Sequence, residues 1–100
     1  MTRVILRFRA KRNLGSIETY IALDNPDRAL SFVQELRHQC QDLANLPRRG
    51  SPYPTRKSSV RRLVHGNYLI FYRYAEDQDT VFIIRIDESS RDFSRIIFED

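Results

Sequence analysis

Lys57, Arg61, Arg62, Arg73 and Arg85 fall in or beside segments rich in Val, Ile, Phe and Tyr. Such segments form strands, and a strand holds its side chains at fixed positions. Fixed cations of this kind can present charge to an anionic nucleic acid or an acidic protein. They can also stabilise the charge that builds on a phosphodiester under attack, so the residues point to a small basic binding module or an RNA-cutting one. Other chemistries are poorly supplied. The two histidines, His38 and His65, and the single Cys40 have no zinc spacing. Cys40 falls on the apolar stripe of a helical segment, where a cysteine is ordinarily core. The serine pairs Ser58-Ser59 and Ser89-Ser90 lack a companion base, and three glycines build no phosphate-cradling loop, so neither metal nor cofactor is expected.

The charge is unevenly placed. Residues 48–62 carry six bases and no acid. Residues 1–74 hold 14 bases and 5 acids, a balance of +9, whereas residues 75–100 hold 3 bases and 8 acids, a balance of −5. The molecule is expected to be electrically two-sided. One hundred residues with 41% hydrophobic content suit a single domain over residues 1–100 with one core. A lone cysteine cannot form an internal disulfide, and no apolar run is long enough to span a bilayer, which together suit a cytoplasmic setting with no membrane partner. Residues 1–12 carry five bases, yet Val4, Leu6 and Phe8 share one parity, so this start reads as a strand and not as a targeting signal.

The positioning elements follow from periodicity. Leu14, Ile17, Tyr20 and Ile21 recur at helical spacing and predict a short amphipathic helix near 11–23. Asp24-Asn25-Pro26-Asp27 predicts a sharp restart: Asn25 caps, Pro26 opens the helix, and Asp27 complements its positive end. Ala29, Phe32, Val33, Leu36, Cys40 and Leu43 mark one face of a second helix expected to stop near Asn45–Leu46, ahead of Pro47. Residues 47–59 hold three of the four prolines and read as an exposed, functional connection. Strands are expected at 60–65 and 67–75, joined around Gly66-Asn67, and at 80–87 after the acidic turn Glu76–Asp79. Residues 90–98 would form a short tail. The fold class is therefore α+β: an N-terminal strand, a two-helix hairpin, then a three-stranded antiparallel meander, giving a four-stranded sheet with the helices on one face and the other face open. Strict alternation in the last strand would put Phe82, Ile84 and Ile86 on one side and Val81, Ile83, Arg85 and Asp87 on the other.

This order, with Asp24-Asn25-Pro26, Leu43 to Pro47, Arg61, the stretch Gly66 to Arg73 and Arg91-Asp92, resembles the RelE/ParE toxin superfamily over nearly the whole chain, and its ParE-like branch most. One departure is clear: where ParE-like chains often carry a histidine near the last strand, this chain has Glu88. A carboxylate there reverses the charge of a protonated imidazole and removes a proton that switches near neutral pH.

The resemblance implies the toxin of a type II toxin–antitoxin system, neutralised by a cognate antitoxin through an acidic or amphipathic segment. In the ParE-like branch the implied action is inhibition of DNA gyrase by binding, and Arg61, Arg73, Arg85, Arg91, Phe93 and Ile96 are the candidate contacts, arginine and aromatic groups being common interface anchors. The alternative implied by the RelE-like branch is a ribosome-dependent messenger-RNA endoribonuclease, with Lys57, Arg61, Arg62, Arg73 and Arg85 on the RNA. Such enzymes draw a Tyr or His from the chain's end, and this end reads Phe93, Phe98, Glu99 and Asp100. A detoxified relative that only binds its antitoxin is the third expectation, prompted by Glu88.

Overall fold

The computed structural model describes residues 1–54 and 59–91. Strand β1 (Arg3–Leu6) leads into helix α1 (Phe8–Ala22), helix α2 (Pro26–Asp42), then β2 (Ser51–Tyr53), β3 (Val60–His65), β4 (Tyr68–Ala75) and β5 (Thr80–Glu88). Among the described residues the sheet has five strands, not four, in the order β1-β5-β4-β3-β2. The added strand is β2, drawn from the proline-rich connection and paired antiparallel with β3. Its three residues include Pro52, and at an edge a proline sacrifices no ladder hydrogen bond. Strand β1 pairs parallel with β5, so the chain must cross the sheet through the helical hairpin before the meander closes.

The helix boundaries show what overrides periodicity. Helix α1 starts at Phe8, three residues earlier than the spacing predicts, and ends the opening strand at Leu6. Phe8 consequently sits 74% exposed on the helix surface instead of continuing the strand row of Val4 and Leu6. Helix α2 begins where Asn25-Pro26 predicts: the Asn25 side chain accepts from the Arg28 amide at 3.1 Å. It ends at Asp42, short of Asn45, and Leu43 is fully buried in the following turn. Both helices lay Ala10, Leu14, Ile17, Phe32, Val33, Leu36 and Cys40 on Ile70, Tyr72, Val81, Ile83 and Ile86 of the sheet.

A bulge between β4 and β5 overturns the expected alternation. Tyr72 pairs with Ile83 but the preceding Phe71 pairs with Arg85, so Ile84 is the extra residue. Past it the parity inverts: Ile86 joins Val81 and Ile83 under the helices, while Ile84, Arg85 and Asp87 turn to the opposite face. The Asn13 carboxamide of α1 accepts from the Ile86 amide at 3.0 Å just beyond the bulge, tying the helix to the strand there. That opposite face is not the open apolar surface expected. Val60, Leu69, Phe71 and Ile84 form a second buried cluster on it, with Tyr53 of β2 edge-on to Phe71 at 5.2 Å.

Candidate functional site

The arginines divide by what holds them. Arg61, on the helix-side parity of β3, donates from Nη1 to the carbonyl of Gly50 at 2.7 Å and to that of Arg48 at 3.3 Å. It thereby fastens the start of the connection to the sheet. The same segment is pinned again where the Gly50 amide donates to the buried Tyr72 hydroxyl at 2.7 Å. Burial raises the Tyr72 pKa, so the phenol stays protonated there. A Cβ on Gly50 would lie 2.7 Å from both the Arg62 carbonyl oxygen and Tyr72 Cε1, and only glycine fits this approach.

Arg85 is 4% exposed and Asp87 8% exposed. The Arg85 Nε donates to Asp87 Oδ2, and the exposed Arg91 donates from Nη1 to Asp87 Oδ1 at 3.2 Å. A buried guanidinium is tolerated only with such a partner. Arg85 is thus bound into the sheet by Asp87, and Arg91 caps the pair from the rim.

The other two described candidates, Arg62 and Arg73, stand on the face away from the helices. Arg62 is exposed on β3, with its guanidinium carbon 5.7 Å from the centroid of the Tyr53 ring. Arg73 of β4 lies 5.2 Å from the centroid of Phe82, and Arg7, which follows β1, lies 4.3 Å from the same centroid. Two guanidinium groups over one ring are oriented by its quadrupole. Arg7 was not singled out from the sequence, although Arg3, Ile5 and Arg7 share a parity that pointed to one face. Arg62, Arg73 and Arg7 therefore share a face with the Arg85–Asp87 pair, and Arg61 does not. Lys57, Phe93 and Ile96 lie outside the described residues.

Proton-transfer groups are placed elsewhere. His65 Nε2 is 3.0 Å from Glu35 Oε1 of α2, with the Phe32 ring 5.5 Å away. This contact belongs to the helix side of the sheet. His38 is exposed on α2. Hydrogen bonds from Arg28 and then His65 hold the Glu35 carboxyl below its ordinary pKa. Glu88, in the position where the histidine was expected, is exposed at the end of β5 and accepts from the Ser90 hydroxyl at 3.0 Å. Cys40 is fully buried, and that burial pushes its thiol up to about 12, the opposite of a reactive cysteine. Among the described residues no three His, Cys, Asp or Glu side chains converge on a metal position, and no helix is long and apolar enough to cross a membrane. The arrangement can offer fixed positive charge on a rigid sheet, and it sets no imidazole beside that charge.

Comparison with known proteins agrees with this architecture. A chromosomal ParDE toxin–antitoxin structure from P. aeruginosa superposes with a TM-score of 0.73 at 23% identity, over 88% of this chain and 96% of that one. The RelBE2 toxin–antitoxin complex of Mycobacterium tuberculosis gives 0.68 at 24% identity, over 87% and 96%. The intact E. coli RelBE complex gives 0.64 at 12% identity, over 91% and 100%. A search of curated protein sequences finds no match. The sequence model described as the ParE toxin of type II toxin-antitoxin system, parDE, matches residues 4–93, nine-tenths of the chain, and the chain belongs to this ParE toxin family.

Proposed function

We propose that the chain is a toxin that acts by binding DNA gyrase and is neutralised by a cognate antitoxin. The observation that carries this reading is the fate of Arg85. The cation expected on the last strand is buried against Asp87, so it offers a phosphodiester neither a free charge nor an approach. Arg61 is likewise engaged with two backbone carbonyls. RNA cleavage needs cations, a base and an acid at one phosphate, and the two histidines are on α2 and beside it. Binding needs only a presented surface. Arg62, Arg73 and Arg91 supply charge at its rim, in the manner of interfaces anchored by arginine.

Two assays on the purified chain separate the readings. Supercoiling by gyrase is blocked if the toxin binds that enzyme, and ribosome-associated message is cut if it is a ribonuclease. Cut message with unimpaired supercoiling would overturn the gyrase reading. Growth arrest on induction, relieved by co-expression of the adjacent small open reading frame, tests the toxin–antitoxin relation itself. Glu88 favours a second reading, in which the chain is detoxified and keeps only its antitoxin. Glu88→His would then bring toxicity to a harmless chain, and unchanged harmlessness would count against it.

A further inference from the structure

We infer that the exposed face of α1 binds single-stranded DNA, with a base stacked on Phe8 and the neighbouring phosphates held by Arg9, Lys11 and Arg12. The choice of DNA over RNA rests on the gyrase reading above, and the site adds to that reading a direct contact with nucleic acid.

Residues 1–17 hold five bases, Arg3, Arg7, Arg9, Lys11 and Arg12, and no acid. Arg9, Lys11 and Arg12 stand exposed on α1. The helix gains nothing from this placement. Its first turn carries no acid, although the positive end of the helix dipole favours carboxylates there. Nor does the rest of the fold use these cations: among the described residues none of the three pairs with a carboxylate. Charge kept available at a local cost suits a polyanion.

An exposed aromatic ring is the second element of the site. Phe8 is 74% exposed, whereas Ala10, Leu14 and Ile17 of the same helix are buried. Lys11 and Arg12 follow it by three and four residues and so share its face, and Arg9 flanks it. The Arg12 guanidinium carbon lies 5.7 Å from the centroid of the Phe8 ring, so ring and cation are presented together. Beyond them the same face becomes a shallow trough lined by Arg12, Gly15, Ser16, Thr19, Tyr20 and Leu23. Its floor is open, since a Cβ on Gly15 would meet nothing within 4 Å. Tyr20, 70% exposed, stands about 18 Å along the helix axis from Phe8. Open rings with cations and hydroxyls between them match the way single strands are held, bases stacking on aromatic groups while the backbone follows positive charge. Duplex DNA is a poorer occupant, because its bases stack on one another and leave Phe8 unused.

The test is fluorescence anisotropy of a labelled oligothymidylate of about twelve residues with the full chain. Three phosphate-bound cations predict a slope of about −2 for log affinity against log salt. Phe8→Leu keeps an apolar side chain at an exposed position and removes the aromatic face. It is expected to weaken binding about tenfold, with Phe8→Tyr within about threefold of wild type. Arg12→Gln is expected to flatten the salt slope by about one-third. Affinity unmoved by Phe8→Leu, or a duplex of the same length bound as tightly, overturns the stacking seat. An oligouridylate bound about tenfold more tightly overturns the choice of DNA. Polyglutamate bound as tightly as the oligonucleotide makes this a surface for an acidic protein and overturns the proposal. No binding while supercoiling is still blocked overturns the site and leaves the gyrase reading intact; strand binding with unimpaired supercoiling does the reverse.

Discussion

Replacing Asp87 with Ala should lower the melting temperature by about 12–24 °C. The figure follows from burial. Asp87 is 8% exposed and neutralises Arg85, itself 4% exposed, so truncation leaves a guanidinium inside the sheet without its carboxylate. Breaking one side of a buried ion pair costs about 3–5 kcal/mol. Arg85 keeps a further contact, which favours the lower end, about 3 kcal/mol. Loss of the rim contact with the exposed Arg91 adds less than about 1 kcal/mol. For a chain of this length each kcal/mol moves the midpoint by roughly 4–8 °C. Thermal melting followed by circular dichroism reads the change directly. The paired replacement Arg85→Met with Asp87→Leu removes both charges and should fall within about 1 kcal/mol of wild type or above it. The same double variant bears on function: gyrase inhibition should survive, since Arg85 is bound inward, whereas a phosphodiester role would be lost with it. An Asp87→Ala midpoint within about 3 °C of wild type would refute the buried-charge reasoning.

Gly50→Ala should cost about 1–3 kcal/mol, because the added methyl meets the Arg62 carbonyl and the Tyr72 ring; the urea midpoint checks this, and a neutral result would mean the connection can shift. The Glu35 carboxyl is held below its ordinary value of 4.5 by Arg28 and His65, so the stability it adds is complete above that value and fades as pH falls through its lower folded-state pKa. Wild type should therefore lose melting temperature more steeply than Glu35→Gln from about pH 5 downward, and parallel curves would contradict this. Cys40, buried with its thiol near 12, should react with a thiol reagent only at the rate of global unfolding, and fast labelling of the native chain would show local opening around α2. Asn25→Ala should cost about 1 kcal/mol through loss of the bond to the Arg28 amide, read from the same urea titration.

Where a local signal had a local cause, the sequence was legible. Asn25-Pro26 fixed the start of α2 because a side-chain cap and a preset φ act within one turn. Gly66, with φ of +58°, marked the hairpin because glycine enters the left-handed region without a steric cost and sits between two strongly patterned strands. Strand β2 was hidden because Ser51-Pro52-Tyr53 has no alternation to read; its place is set by cross-strand pairing with Val60, Arg61 and Arg62. The bulge at Ile84 was hidden for a related reason. Ile83, Ile84 and Ile86 are equally apolar, so nothing in residue type shows that parity inverts between them, and the packing of two cores on opposite faces decides it.

That inversion also decides which arginines can work. With regular alternation Arg85 would sit on the same face as Val81 and Ile83; the bulge instead sets it opposite Phe71, beside Asp87. Residue type and spacing give Arg73 and Arg85 the same appearance, a cation in an apolar strand. Tertiary structure separates them: Arg85 is buried against a carboxylate two residues away, and Arg73 lies half-buried over an aromatic ring it shares with Arg7. A guanidinium closed in by an internal carboxylate contributes to stability and specificity of the fold, whereas one lying over a ring is oriented by it on the outer face of the sheet. Mutating all the basic residues alike would mix these effects. Surface loss of function is interpretable at Arg62, Arg73 and Arg3, while at Arg85 it must first be separated from unfolding by the double replacement with Asp87.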